Sequence, residues 1–137
     1  MVSQTTRYAL QILGFLVARP EGRTRGDEIA RETGIPANYL SKILNQLRKS
    51  GLVDSQKGWG GGFQLRPEAL SKPIGEVVAI FEGASAPHGI EACVFGLPQC
   101  DDNNPCPLHP YWGKIRETYH AMLQAKTVGE LKMRPRV

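Results

Sequence analysis

All three cysteines of the chain, Cys93, Cys100 and Cys106, fall within one short stretch, and His109 follows three residues beyond the last of them. Gly96, Pro98, Asn103, Asn104 and Pro105 make regular helix or strand improbable there, so the thiols are expected on a loop from which they can converge. Thiolates and an imidazole are soft donors that suit a metal centre. Three thiolates with one imidazole fit either an iron–sulfur cluster or a structural zinc. Zinc sites usually pair their ligands two to four residues apart, and the wider, irregular spacing here favours a cluster. The competing reading, three small core residues scattered by chance, fits poorly with their confinement to one polar loop.

The rest of the chain must position that loop. With 137 residues and 41% hydrophobic residues, it has the size and core content of one small domain with appended helices. An odd cysteine count without repeated spacing does not describe a secreted disulfide framework and favours a reducing compartment. Arg7 ahead of the apolar run 8–18 imitates a signal peptide. Gln11 and Gly14 interrupt that run, however, and Arg19-Pro20 ends it without a small-residue cleavage site. No segment reaches the ~20 apolar residues of a spanning helix, so a cytoplasmic protein without membrane partners is expected.

Charge is unevenly distributed. Residues 1–66 carry ten Lys or Arg against five Asp or Glu, residues 67–110 one against six, and residues 111–137 six against two. A basic front suits a polyanion, and an acidic middle suits a part that does not touch it. A solvated mixed surface would give the same count.

Tyr8, Ile12, Leu13, Leu16 and Val17 recur at helical spacing and predict a first helix ended by Pro20. Thr24-Arg25-Gly26-Asp27 has the capping-box pattern and predicts a second helix stopped by Gly34. Pro36 is expected to open a third, with Leu40, Ile43, Leu44 and Leu47 on its buried face and Gly51 at its end. Its other face carries Asn38, Ser41, Lys42, Asn45 and Lys49, all able to meet nucleic acid. Two helices joined by a tight turn, the second longer and basic, make a helix-turn-helix. Helical hairpins also occur in proteins that never meet DNA.

Leu52–Gln56 and Phe63–Leu65 read as two strands reversed by Lys57-Gly58-Trp59-Gly60-Gly61-Gly62. A basic-tipped hairpin after a recognition helix is a wing, and Lys57 at its tip can enter a minor groove or meet a phosphate. The glycines do not have the spacing of a nucleotide-binding loop. A fourth helix opens at Ser71 or Pro73 and ends at Gly83; it is expected to brace the wing against helix one. Trp112, Ile115, Tyr119, Met122 and Leu123 form an apolar face on a long final helix, suited to pairing with a second copy. Packing onto its own domain is the competing reading. Thr127-Val128-Gly129-Glu130 is a second capping box before a basic tail.

The expected fold is therefore mostly α with a small β-hairpin wing. A winged helix-turn-helix domain occupies 1–82, a cysteine-containing cluster-binding loop 83–110, and a dimerisation helix with C-terminal tail 111–137. No nucleophile triad or carboxylate pair stands out and His88, His109 and His120 are dispersed, so an enzyme is not expected.

The chain resembles the IscR/NsrR-type winged-helix transcriptional regulators, in their iron–sulfur-cluster-binding branch. The resemblance rests on Thr6-Arg7-Tyr8-Ala9, Tyr39-Leu40, the run from Leu47 to Val53, Lys57-Gly58-x-Gly60-Gly61-Gly62-Phe63, the cysteine loop and Thr127-Val128-Gly129-Glu130-Leu131. It implies a homodimer on a pseudo-palindromic double-stranded operator. Cys93, Cys100 and Cys106 would be ligands of a two-iron or four-iron cluster, and the wing would contact DNA through Lys57, with Trp59 beside it at the tip. Asn38, Tyr39, Ser41 and Lys42 fall on the DNA-facing helix, and Trp112, Ile115, Tyr119 and Met122 on the dimer helix. The signal would be nitric oxide, oxygen or iron–sulfur status, read out as repression or activation.

Three features depart from the family pattern. Six residues separate Cys93 from Cys100 where five are common. Ser41 stands where IscR-like members have a glutamate that tunes DNA choice. No acid precedes Glu21, which disfavours a ligand from helix one and leaves His109 as first choice for the fourth position, ahead of a small thiol or a partner residue. A zinc-stabilised DNA-binding regulator and a small iron–sulfur electron carrier are the alternatives.

Overall fold

A computed structural model describes residues 2–83 and 103–133. Helix α1 spans Gln4–Val17 and is capped by Ser3, whose hydroxyl accepts the Thr6 N–H at 3.2 Å. Ala9, Ile12, Leu13 and Leu16 face inward, each 2% exposed or less. Helix α2 (Gly26–Thr33) ends at Gly34, whose left-handed φ of 74° lets its N–H reach the Ala30 carbonyl. Helix α3 (Ala37–Lys49) starts one residue after the expected opening, with Pro36 as its cap. Its apolar stripe Leu40, Ile43, Leu44 and Leu47 is buried against α1 and α2, as its spacing predicts. Burial of each such side chain stabilises the fold by about 1.5–3 kcal/mol.

Strands β1 (Val53–Gln56) and β2 (Gly62–Leu65) form one antiparallel hairpin, with Val53 opposite Leu65 and Gln56 opposite Gly62. Helix α3 runs into β1 almost without a linker, so hairpin and helix stay adjacent. A 3-10 turn at Pro67–Ser71 leads to α4 (Ile74–Glu82). Helix α5 covers His109–Ala125, and a second 3-10 turn covers Val128–Leu131.

Two expectations change. Thr24 does not cap α2: Arg25 occupies that position without a side-chain bond, and Thr24 exchanges two backbone hydrogen bonds with Phe63, at 2.9 and 2.8 Å. The β2 edge competes successfully for the same backbone groups and thereby fastens the wing to the α1–α2 connection. Helix α4, for its part, packs against α1 and α5, while the wing base is held by that bridge and by the Arg23–Asp54 ion pair at 2.9 Å.

The second capping box forms: Glu130 accepts from the Thr127 N–H at 3.0 Å. The segment it caps then returns to the N-terminal core. Lys72 and Ile74 bond Val128 and Lys126, Val128 is fully buried, and the Leu131 carbonyl lies close over Gly14 of α1. The strap thereby anchors the far end of α5 to α1.

Candidate nucleic-acid interface and metal loop

With its apolar stripe buried, α3 turns Asn38, Tyr39, Ser41, Lys42 and Asn45 outward, all exposed. The Ser41 hydroxyl donates back to the Ala37 carbonyl at 3.1 Å, which uses its one proton and leaves the oxygen as an acceptor. The Tyr39 ring is 52% exposed and tilts against Tyr8 of α1 with centroids 6.2 Å apart, so its orientation is set from below. Arg48 donates to Asn45 Oδ1 at 2.8 Å and with Lys49 complements the negative end of the α3 dipole. Sequence reading missed this Asn45–Arg48 pair, although the i, i+3 spacing announces it.

The wing tip is built by glycines. Gly61 N–H closes a turn on the Gly58 carbonyl at 3.0 Å, with Gly60 at φ 70° in the third position, where a type II turn needs a left-handed residue. Gly62 approaches the Thr24 backbone so closely that a Cβ would lie 2.5 Å from its carbonyl oxygen. Lys57 and Trp59 are exposed at the tip, and the Trp59 side chain is wholly in solvent. An open cleft separates the tip from the start of α2 and is bordered by Arg25, Gly26 and Asp27. Asp54 at the wing base has its carboxyl held below the usual range, mainly by the hydrogen bond from Arg23.

Cys93 and Cys100 lie outside the described residues. Cys106 and His109 lie within them, both partly buried, on the turn that starts α5, where the His109 N–H donates to the Cys106 carbonyl at 3.0 Å. A thiol and an imidazole three residues apart at a helix start are a soft donor pair. Among the described residues, no three potential ligands converge.

On α5, Ile115 and Met122 are each 44% exposed and Trp112 is half-covered. Tyr119, expected on the dimer face, is largely covered within its own chain. It is 8% exposed, on the side of α5 that packs toward α4, and burial followed by the Glu82 carboxylate raises its phenol above the usual value. Tyr111, missed in the sequence because it stands at the helix start, is 72% exposed and shares a stripe with Ile115 and Met122. No helix among the described residues is long and apolar enough to cross a membrane.

Residues 2–133 match the family model Rrf2, an iron-dependent transcriptional regulator. The chain is 30% identical over 131 residues to a helix-turn-helix transcriptional regulator of Aquifex aeolicus, across 94% of this chain and 89% of that protein. It is 35% identical over 105 residues to the regulator IscR of Klebsiella pneumoniae, covering 76% of this chain and 61% of IscR, less than two thirds of that relative's length. Among solved structures, CymR, the global cysteine regulator of B. subtilis, superposes with a TM-score of 0.75 at 26% identity, over 96% of this chain and 95% of CymR. The fold is also that of T. potens IscR, with a TM-score of 0.70 at 23% identity over 96% and 85% of the two chains. These relatives are transcriptional regulators rather than enzymes. The chain belongs to the Rrf2 family of DNA-binding transcriptional regulators.

Proposed function

We propose that this chain is a homodimeric regulator whose operator binding is governed by an iron–sulfur cluster on the Cys93, Cys100 and Cys106 loop, with His109 as the fourth ligand. The observation that carries the reading is the seating of Cys106 and His109 on one turn at the start of α5. The loop's last two donors therefore join a helix that packs on α4, and α4 packs on α1 beneath α3. The iron dependence in the family description and the IscR relatives support it. When bound, a cluster supplies a centre that reacts with nitric oxide and oxygen and depends on iron supply. Three thiolates and an imidazole would hold it; the thiolates add negative charge to the acidic middle of the chain, and cluster binding would order the loop.

Asn38, Tyr39, Ser41 and Lys42 of α3 read or position the operator, and Lys57 with Trp59 brings the wing to the adjacent groove. The exposed α5 stripe of Tyr111, Ile115 and Met122 pairs two copies, which calls for a pseudo-palindromic operator. A change in the packing of α4 and α5 reaches α3 through α1, where Tyr8 touches Tyr39. A coupling of about 1–3 kcal/mol is what such switches carry.

A second reading is a regulator that uses the same cysteines for zinc, without sensing. Native mass spectrometry of anaerobically purified protein separates the two, because it counts iron, sulfide and zinc on an intact dimer. Iron with sulfide on a dimer supports the cluster; zinc alone, or no metal, rejects it.

A further inference from the structure

Among the described residues, Trp59 is the largest apolar side chain left wholly in water, 105% exposed, and none of them covers it. It stands at the tip of a hydrogen-bonded turn. It sits between Gly58 and Gly60, both with positive φ (89° and 70°), in a turn closed by the Gly61 N–H. A Cβ on Gly61 would collide with the Gln56 backbone, so the turn closes tightly just after the indole. A protein-docking patch is contiguous and apolar, with aromatic anchors ringed by further apolar contacts. The indole's sequence neighbours are glycines, with Lys57 at the tip and, across the open cleft, Arg25, its side chain 77% exposed and paired with Asp27 at 3.4 Å. An isolated flat apolar group beside an exposed lysine suits a surface of stacked rings edged by phosphates.

We propose that Trp59 is an apolar wedge that enters the minor groove beside the half-site and partly unstacks one base step. This rests on the operator-binding reading and adds a source of specificity to it. Minor-groove proteins insert apolar side chains between base steps, and the cost of unstacking depends on the step. Pyrimidine–purine steps yield most easily, so Trp59 confers a preference for TA or CA at one fixed offset from the bases read by α3. Lys57 holds the neighbouring phosphate. The turn holds the Trp59 backbone at the wing tip, from which the indole projects into solvent.

The test is parallel selection of binding sites from a random duplex pool by the full chain, Trp59→Ala and Trp59→Phe. All three fold, because an exposed side chain contributes little to stability, and circular dichroism checks it. Wild type and Trp59→Phe are expected to enrich a pyrimidine–purine step at a fixed distance outside the half-site. Trp59→Ala keeps the half-site and loses the step, and its discrimination between TA and a GC step falls by about tenfold. 2-Aminopurine placed at that step brightens when wild type binds and stays dark with Trp59→Ala. Wild type that selects a half-site with no step preference, or Trp59→Ala that retains one, overturns the wedge alone. Failure of wild type to select any sequence overturns the operator reading and the wedge together.

Discussion

Thr6 and Glu82, 76 residues apart in sequence, share a hydrogen bond of 2.6 Å that joins the start of α1 to the last residue of α4. The same carboxylate oxygen accepts the Ser3 N–H at 2.6 Å, so Glu82 satisfies an orphan donor at the α1 N-terminus and meets its positive dipole. Burial pushes the Glu82 carboxyl up, but the bonds from Thr6 and Ser3 outweigh it and hold the group below the ordinary glutamate value. A depressed folded pKa contributes stability that is present above the unfolded value, about 4.3, and is lost as pH falls through the folded one. Glu82→Gln is expected to cost about 1 kcal/mol at pH 7, discounted for its partial exposure. It should also flatten the loss of stability below about pH 4.3. Urea unfolding at pH 7 and at pH 3.5 checks this; an unchanged pH dependence removes Glu82 from the acid response.

Gly14→Ala ordinarily gains about 1 kcal/mol in a helix interior. Here the added Cβ would lie 2.7 Å from the Leu131 carbonyl and 2.9 Å from Met133 Cγ. The methionine can move, but the carbonyl belongs to the strap that buries Val128. The expected sign is therefore reversed, a loss of about 1–2 kcal/mol, read as a lower Tm in a thermal scan. A higher Tm would show that the strap yields freely.

Lys42 on α3 and Lys57 on the wing are exposed cations on the proposed DNA side. Each phosphate contact contributes about 0.9 to the slope of log affinity against log salt. Lys42→Ala and Lys57→Ala are each expected to lower that slope by roughly one, measured by fluorescence anisotropy across a salt series. A lysine whose removal leaves the slope unchanged does not meet a phosphate.

Ile115→Asp and Met122→Asp place a charge on the exposed α5 stripe, so both variants are expected to fold, to sediment as monomers, and to bind operator about tenfold more weakly. Tyr119→Ala is expected instead to lower Tm, because Tyr119 is buried within its own protomer. Dimeric Ile115→Asp and Met122→Asp proteins in analytical ultracentrifugation would move the interface elsewhere.

The parts of the fold legible in the sequence are those specified locally. The stripe from Leu40 to Leu47 fixes which side of α3 is buried, and therefore which side carries Asn38 and Lys42. The glycines of residues 58–62 require a turn, and Thr127 with Glu130 requires a cap. What stayed hidden depends on partners distant in sequence. Thr24 has a cap's pattern, but Phe63 takes its backbone; Tyr119 lies on an apolar face, but α4 reaches it first. The Thr6–Glu82 bond and the strap over Gly14 have no local signature. At the cysteine loop, the candidate donors can be read from residue types because donor chemistry is intrinsic to a side chain, whereas their convergence is a property of the tertiary structure.

The most direct measurement is operator affinity of anaerobically purified protein before and after removal of its iron, with iron and sulfide counted in the same samples and Cys93→Ala/Cys100→Ala/Cys106→Ala carried alongside. The expected result is iron and sulfide in the wild type only, and an affinity that changes about 5-fold or more on removal, with the triple variant matching the stripped protein. Equal affinity in all three samples would contradict control of this regulator by a cluster on its cysteine loop.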